Sequence, residues 1–264
     1  TTKFPQAKSR FTALGMNVLV FEQMYCSTPL CSPARAQLLT GRYAYQTGVH
    51  HNDNWSGGLG GAEAFAASGA EQDTIATRLQ AAGYDTGLVG KYMNNYDWQG
   101  PHVGPPGWDY GRTYYAPSIR YFNYSLEFQN GTIQQRGAAE TDYSTDVFKA
   151  KAVNMVEDST SAPFFIMYAP FAPHEVAICA SRHSGLYPTQ NAPRPPNYAN
   201  AADKIGKPDW VQLLDWTAQE ETDEDDLWRR KARCMAAVDE AIVAVVDAVN
   251  AMGKLDNTIF VLMS

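Results

Sequence analysis

Cys31-Ser32-Pro33-Ala34-Arg35-Ala36-Gln37-Leu38-Leu39-Thr40-Gly41-Arg42 is the stretch on which the reading of the whole chain turns. Pro33 lacks a backbone N–H and presets φ for the first turn of a helix. Ala34 to Leu39 contains good helix formers, and Thr40-Gly41 supplies a stop. The pattern predicts a helix with Cys31 at or just before its N-terminus. Unpaired N–H groups and the positive end of the helix dipole gather there, and both favour an anion. Arg35, one turn on, reaches back to the same point, and its forked guanidinium suits a fixed oxyanion better than Lys would. The plainer alternative makes Cys31 half of a disulfide or a buried thiol, and Arg35 a surface charge.

Working outward, Thr1 to Asn17 is mixed, with Phe11 and Leu14 at helical spacing, and Val18-Leu19-Val20-Phe21 reads as a short strand. After the helix, residues 43–73 read as loop, rich in small residues. His50 and His51 lie there beside Asn52 and Asp53. Adjacent side chains rarely share a ligand shell and no third ligand stands at a useful spacing. A structural or surface role therefore outweighs a metal role, with contact to substrate as the other option. Thr74 to Ala82 reads as a helix ended by Gly83, and Thr86 to Tyr92 as a strand that breaks at Gly90. That break puts Lys91 beyond the carboxyl end of a strand, where ligand sites of open α/β sheets lie.

Residues 97–135 are crowded with Gly, Pro and aromatics, among them Pro101, Trp108, Tyr114, Tyr121 and Tyr124. Most of these aromatics are expected to form the core of an excursion from the main sheet; stacking on sugar faces is the alternative. Asn130-Gly131 reads as a hairpin turn. Ser144 is a candidate N-cap for a helix that runs through Val156. Phe164 to Tyr168, between Pro163 and Pro170, reads as a buried parallel strand, and His174 follows it. Residues 175–210 form a long irregular stretch. Glu220 to Asp226 reads as a solvated helix start, followed by a helix to Met252 that stops at Gly253. Thr258 to Met263 reads as a last core strand.

Composition sets outer limits. The chain has 264 residues, 45 % of them hydrophobic, enough for one large α/β domain. The net charge of −7 argues against nucleic-acid binding. No run approaches the roughly 18 apolar residues of a membrane span. Four cysteines, Cys26, Cys31, Cys179 and Cys234, are too few for a disulfide scaffold. Sequons at Asn54, Asn123 and Asn130 lean towards glycosylation and a secreted or lumenal protein. In that case Cys26 could pair with Cys179 or Cys234, a choice the residues leave open.

C-x-P-x-R running into L-T-G-R resembles the signature of the type I sulfatases. A-G-Y-x-T leading to Gly90-Lys91-Tyr92, and Ala172-Pro173-His174 after an apolar strand, resemble later elements of that family in the same order. Gly90-Lys91-Tyr92-Met93-Asn94-Asn95-Tyr96, then PPGW and F-N-Y-S-L, resemble the subgroup of glucosamine-6-sulfatases and extracellular heparan sulfatases. The resemblance covers nearly the whole chain.

It implies an alkaline-phosphatase-like α/β fold: a mixed, mostly parallel sheet between helices, forming a single sulfatase-like domain over 1–264. It implies that Cys31 is converted by the formylglycine-generating enzyme to 3-oxoalanine, whose hydrate attacks sulfur beside a calcium ion that Cys31 would ligate. Arg35 would hold the nucleophile, while Lys91 and His174 would contact sulfate. Asn94 would take part of the role of a His that many members carry near this point. The family's first strand, which ends in two adjacent metal-binding Asp residues, has no counterpart here, and the pair expected after the last strand falls beyond Ser264. The chain is therefore expected to be incomplete at both ends, to bind calcium poorly alone and to show little activity. The rival readings are a phosphate or phosphonate ester hydrolase of the same superfamily and a non-catalytic relic.

Overall fold

The computed structural model describes residues 4–96, 104–115, 119–198 and 200–263. Its helices are α1 (Pro5–Ala13), α2 (Cys31–Thr40), α3 (Ala44–Thr47), α4 (Gly61–Ala67), α5 (Ile75–Ala81), α6 (Ser144–Asp158), α7 (Ala201–Lys204), α8 (Asp209–Gln212) and α9 (Ala218–Ala251). Its strands are β1 (Asp85–Gly90), β2 (Tyr110–Tyr115), β3 (Ser125–Phe128), β4 (Ile133–Gln135) and β5 (Phe164–Ala169). The chain divides into two compact units, one formed by residues 1–171 and 238–264 and the other by residues 172–237.

The first unit is built on a mixed five-stranded sheet in the order β4-β3-β2-β1-β5. β1 is parallel to both its neighbours, with Leu88 opposite Gly111 on one side and Met167 on the other. β2–β3 and β3–β4 are antiparallel. Both faces of β1 and β5 are apolar because helices cover both. Leu88, Phe165 and Met167 join Ala36 and Leu39 of α2, Phe65 of α4 and Ala76 of α5. Side chains alternate across a strand, so Val89 and Tyr168 turn the other way, towards Phe148 and Ala152 of α6. Phe164 and Ile166 meet Val156 of α6 and Val249 of α9. The central position of β1, between two helical layers, fixes where its C-terminal end delivers Lys91.

The second unit is an irregular segment laid along the first half of α9. Arg233 Nε donates to the Leu186 carbonyl (2.7 Å) and Arg229 Nη1 to that of Gln190 (3.1 Å). Asp225 accepts from the Ala192 N–H and from Arg194. Glu220 closes the helix start by accepting from the Thr217 N–H and hydroxyl, both at 2.8 Å. The basic and acidic residues of this helix thus satisfy backbone groups of residues 186–192, in addition to facing solvent at its start.

Several expectations change. Val18 to Phe21 is not a strand: it makes no ladder among the described residues, and its four side chains are 66–77 % exposed. Thr258 to Met263 is likewise outside the sheet; Phe260 packs against α9, but Ile259 is 90 % exposed. An apolar run forms a strand only where a neighbouring strand meets its backbone groups, and neither run has one here. Residues 43–73 hold α3, α4 and a 3-10 turn at Ala70–Gln72 rather than loop alone. Residues 110–135 are no excursion, since β2, β3 and β4 extend the main sheet and bury Tyr114, Tyr124 and Leu126. Gly131, at positive φ, makes the predicted hairpin turn between β3 and β4. Pro101 lies outside the described residues. The N-cap of α6 is Tyr143, with Ser144 the first helical residue. All four cysteines are free thiols.

Two positions carry this architecture and can be tested. α1 has no side-chain cap of its own. Asp239 of α9, 1 % exposed, caps it from a distance by accepting from the N–H groups of Gln6 (2.8 Å) and Ala7 (2.9 Å). Asp239→Ala leaves one buried and one part-buried donor unmet and should lower the unfolding free energy in urea by about 2 kcal/mol. Gly90 has φ +109°, and a Cβ there would lie 2.1 Å from the Ala169 carbonyl oxygen. Gly90→Ala should cost roughly 3 kcal/mol or more in the same measurement.

Candidate active site

α2 begins at Cys31, after Leu30 in an extended conformation, and ends at Gly41 in the left-handed region, with its N–H on the Gln37 carbonyl. The predicted helix and its stop are both present. No residue caps the helix from within its own turn. Asn52 does so from the following loop, its Oδ1 accepting from the Ser32 N–H at 2.9 Å. Ser32 is fully buried, and its hydroxyl both accepts from the Asn94 N–H (3.0 Å) and donates to Asn94 Oδ1 (3.2 Å). The turn that opens α2 is therefore bolted to two other segments, while Cys31 itself stays partly exposed.

Lys91 leaves the end of β1 with its own N–H on the Ala169 carbonyl (2.8 Å) and is only 4 % exposed. Its neighbour Tyr92 is equally buried and donates its hydroxyl to Glu71 Oε1 (2.9 Å), which anchors the strand-end segment from below. Burial and then the Glu71 charge hold that phenol well above its ordinary pKa. Arg35 Nη1 donates to the Lys91 carbonyl at 2.7 Å. One turn of α2 and the end of β1 are thereby tied together around Cys31.

The electrostatics follow from this crowding. Burial lowers the pKa of Lys91; negative charge at Cys31 raises it, Arg35 lowers it further, and a hydrogen bond to Cys31 and the charge of Asp53 raise it again. Burial also lowers the pKa of Arg35, against an opposing effect of Cys31. Two like charges are thus drawn partly out of water beside position 31, a setting that favours an anion over a cation.

The structure brings Cys31, Arg35, Lys91 and Asn94 together. Asn94 serves as a brace: its N–H, Oδ1 and carbonyl oxygen are engaged with Ser32 and the Ala62 N–H. His174 stands in the second unit, exposed, with Nδ1 2.7 Å from the Glu175 carbonyl. Ser32, Asn52 and Asp53 were not legible as site residues. Ser32 lies inside the signature stretch, and the only sequence signal for Asn52 and Asp53 was that their loop follows the signature helix directly. Of the sequon residues, Asn54 spends its amide inside that loop, Asn123 is exposed at φ 52°, and Asn130 accepts from the Thr132 N–H at its hairpin.

Among the described residues no three His, Cys, Asp or Glu side chains are placed to hold a metal ion. Calcium takes about six to eight oxygen ligands. The donors at Cys31 do not fit that ion on their own.

The chain is 28 % identical to an arylsulfatase of Volvox carteri over 89 % of this chain and 39 % of that protein. It is 28 % identical to the human N-acetylglucosamine-6-sulfatase, over 97 % of this chain and 46 % of the relative. It thus spans less than half the length of these relatives. A solved protein bound to its substrate D-glucosamine-2-N,6-O-disulfate shares the fold, with a TM-score of 0.68 at 21 % identity over 96 % of this chain and 61 % of that one. A phosphonate monoester hydrolase from Silicibacter pomeroyi also shares it, with a TM-score of 0.59 at 18 % identity over 97 % of this chain and 56 % of that one. The sulfatase family profile matches residues 2–264, and the chain belongs to that family.

Proposed function

We propose that this chain carries the nucleophile and sulfate-holding part of a sulfuric ester hydrolase acting on sulfate esters of sugars or aryl alcohols. It would do so within a single sulfatase-like catalytic domain to which residues 1–264 belong. The observation that carries the reading is the meeting of a helix N-terminus, a partly exposed Cys31, the half-buried Arg35 and the buried Lys91 at one point.

Cys31 is the residue to be converted by a formylglycine-generating enzyme. The 3-oxoalanine so formed supplies a hydrated aldehyde as the attacking group. Lys91 sits within hydrogen-bonding reach of position 31 and neutralises negative charge on the sulfate. Arg35, pinned on the Lys91 carbonyl, senses the charge at position 31 and orients the nucleophile. Ser32, Asn52 and Asn94 keep the turn in register. His174 is assigned to the leaving-group oxygen, a role suited to an imidazole that can hold or release a proton near neutral pH. Calcium belongs to the family's chemistry, but its oxygen ligands are not assembled among the described residues, so no step is assigned to it. The sequons and relatives named as extracellular sulfatases support a secreted or lumenal location.

Three measurements test this reading. Peptide mass spectrometry on protein from its native host should find 3-oxoalanine at position 31. An unmodified cysteine there, in protein that turns over no sulfate ester, sinks the assignment. Turnover of aryl sulfate should exceed that of aryl phosphate and phosphonate esters; the reverse order would favour the phosphonate hydrolase reading that the shared fold leaves open. Lys91→Met should weaken binding of inorganic sulfate about 10²-fold. The same change should leave the urea midpoint unchanged or raised, because a buried charge is replaced by an apolar chain of similar volume.

A further inference from the structure

The loop that braces the nucleophile turn carries two exposed rings. His51 and Trp55 lie with centroids 4.3 Å apart, tilted by 49°. Trp55 is 38 % exposed and takes no part in the buried clusters. An exposed tryptophan is often loosely held, but this one is not. Trp55 and Gly58 exchange backbone hydrogen bonds at 3.0 and 3.1 Å, closing a tight hairpin. The indole then lies on the hairpin's own backbone: a Cβ on Gly57 would fall 2.3 Å from its Nε1, and one on Gly58 3.3 Å from the ring. Side chains at these two positions would lift the ring off.

The rest of the loop is equally fixed. Asn54 clamps it from inside, accepting from the Gly60 N–H (2.8 Å) and donating to Glu63 (2.7 Å). The Gly61 N–H returns to the His51 carbonyl at 2.9 Å. Gly61 itself, at φ +56°, is pressed so closely on the Asn52 and Asn94 carbonyls that a Cβ would lie 2.5 Å from each. Asn52 holds Ser32, next to Cys31, and Asn95 donates to Asp53 at 2.7 Å. The ring pair is therefore rigidly attached to both the nucleophile turn and the strand end that bears Lys91. Trp55 stays partly exposed on a loop that is hydrogen-bonded to the turn bearing Cys31. An indole presents a flat apolar face with a polar edge, the shape that suits the C–H face of a sugar ring.

We propose that Trp55, backed by His51, is a stacking platform for the pyranose ring of a sulfated sugar whose sulfate sits at Arg35 and Lys91. This rests on the sulfatase reading and narrows its substrate class to sugars.

The test is a calorimetric titration of the full 264-residue chain with two probes, glucosamine 6-sulfate and inorganic sulfate. Trp55→Ala should weaken the sugar sulfate roughly fivefold, the scale of one aromatic contact, and leave inorganic sulfate unchanged. Trp55→Phe, which keeps a ring face, should recover most of the loss. Saturation-transfer NMR should show the sugar ring protons in contact with the parent chain and lose that contact in Trp55→Ala. Equal sugar binding by the parent and Trp55→Ala, with inorganic sulfate bound by both, overturns the platform and leaves the sulfatase reading standing. Loss of inorganic sulfate along with the sugar in Trp55→Ala shows a merely structural role and also overturns it. A parent that binds neither probe defeats both readings together.

Discussion

Arg35 and Lys91 carry like charges and are both drawn out of water around one thiol, and the rest of the first unit is arranged to keep them there. Burial favours the uncharged form of each, and each disfavours the charge of the other. What steadies the pair is a short bond from Arg35 to the Lys91 carbonyl. A site assembled at such a cost to folding is common where a protein must bind or transform an anion. It also needs a stiff frame, because a small widening would let water in and relax the field.

The frame comes from the sheet. β1 lies between two parallel neighbours with a helical layer on each face, so its end cannot shift without disturbing both apolar clusters. At that end, Gly90 lets the backbone press against the Ala169 carbonyl, and the chain turns to give Lys91. α2 is held on the same layer by Ala36 and Leu39. Its first turn is then trimmed by two polar contacts that packing alone does not supply, Ser32 with Asn94 and Ser32 with Asn52. Packing thus sets the position of the elements, and hydrogen bonds set the aim of the side chains.

The apolar runs at Val18–Phe21 and Ile259–Met263 show the other side of the same physics. Their composition is that of strands, yet most of their side chains stand in water and their backbones join no ladder among the described residues. β5, one place from the centre of the parallel set, is the last strand on its side. Strand propensity describes a fit to a half-buried pleated surface, and where no neighbour offers that surface the run stays irregular.

Local chemistry was enough to read the signature helix and its glycine stop, the β1 and β5 strands, the Asn130-Gly131 turn and the placement of Lys91 at a strand end. Each depends on residues within a few positions of one another. The type I sulfatase resemblance added the roles proposed for Cys31, Arg35, Lys91 and His174, and family membership follows from the match over residues 2–264. The tertiary structure alone decided that Asn52 and Ser32 lock the turn that bears Cys31 and that Asp239 caps α1. It also decided that residues 110–135 extend the sheet, and that two apolar runs stay outside it. In every such case the partner lies far along the chain or is missing from beside it. A hydrogen-bond acceptor or a neighbouring strand has no sequence signal until the fold brings it into contact.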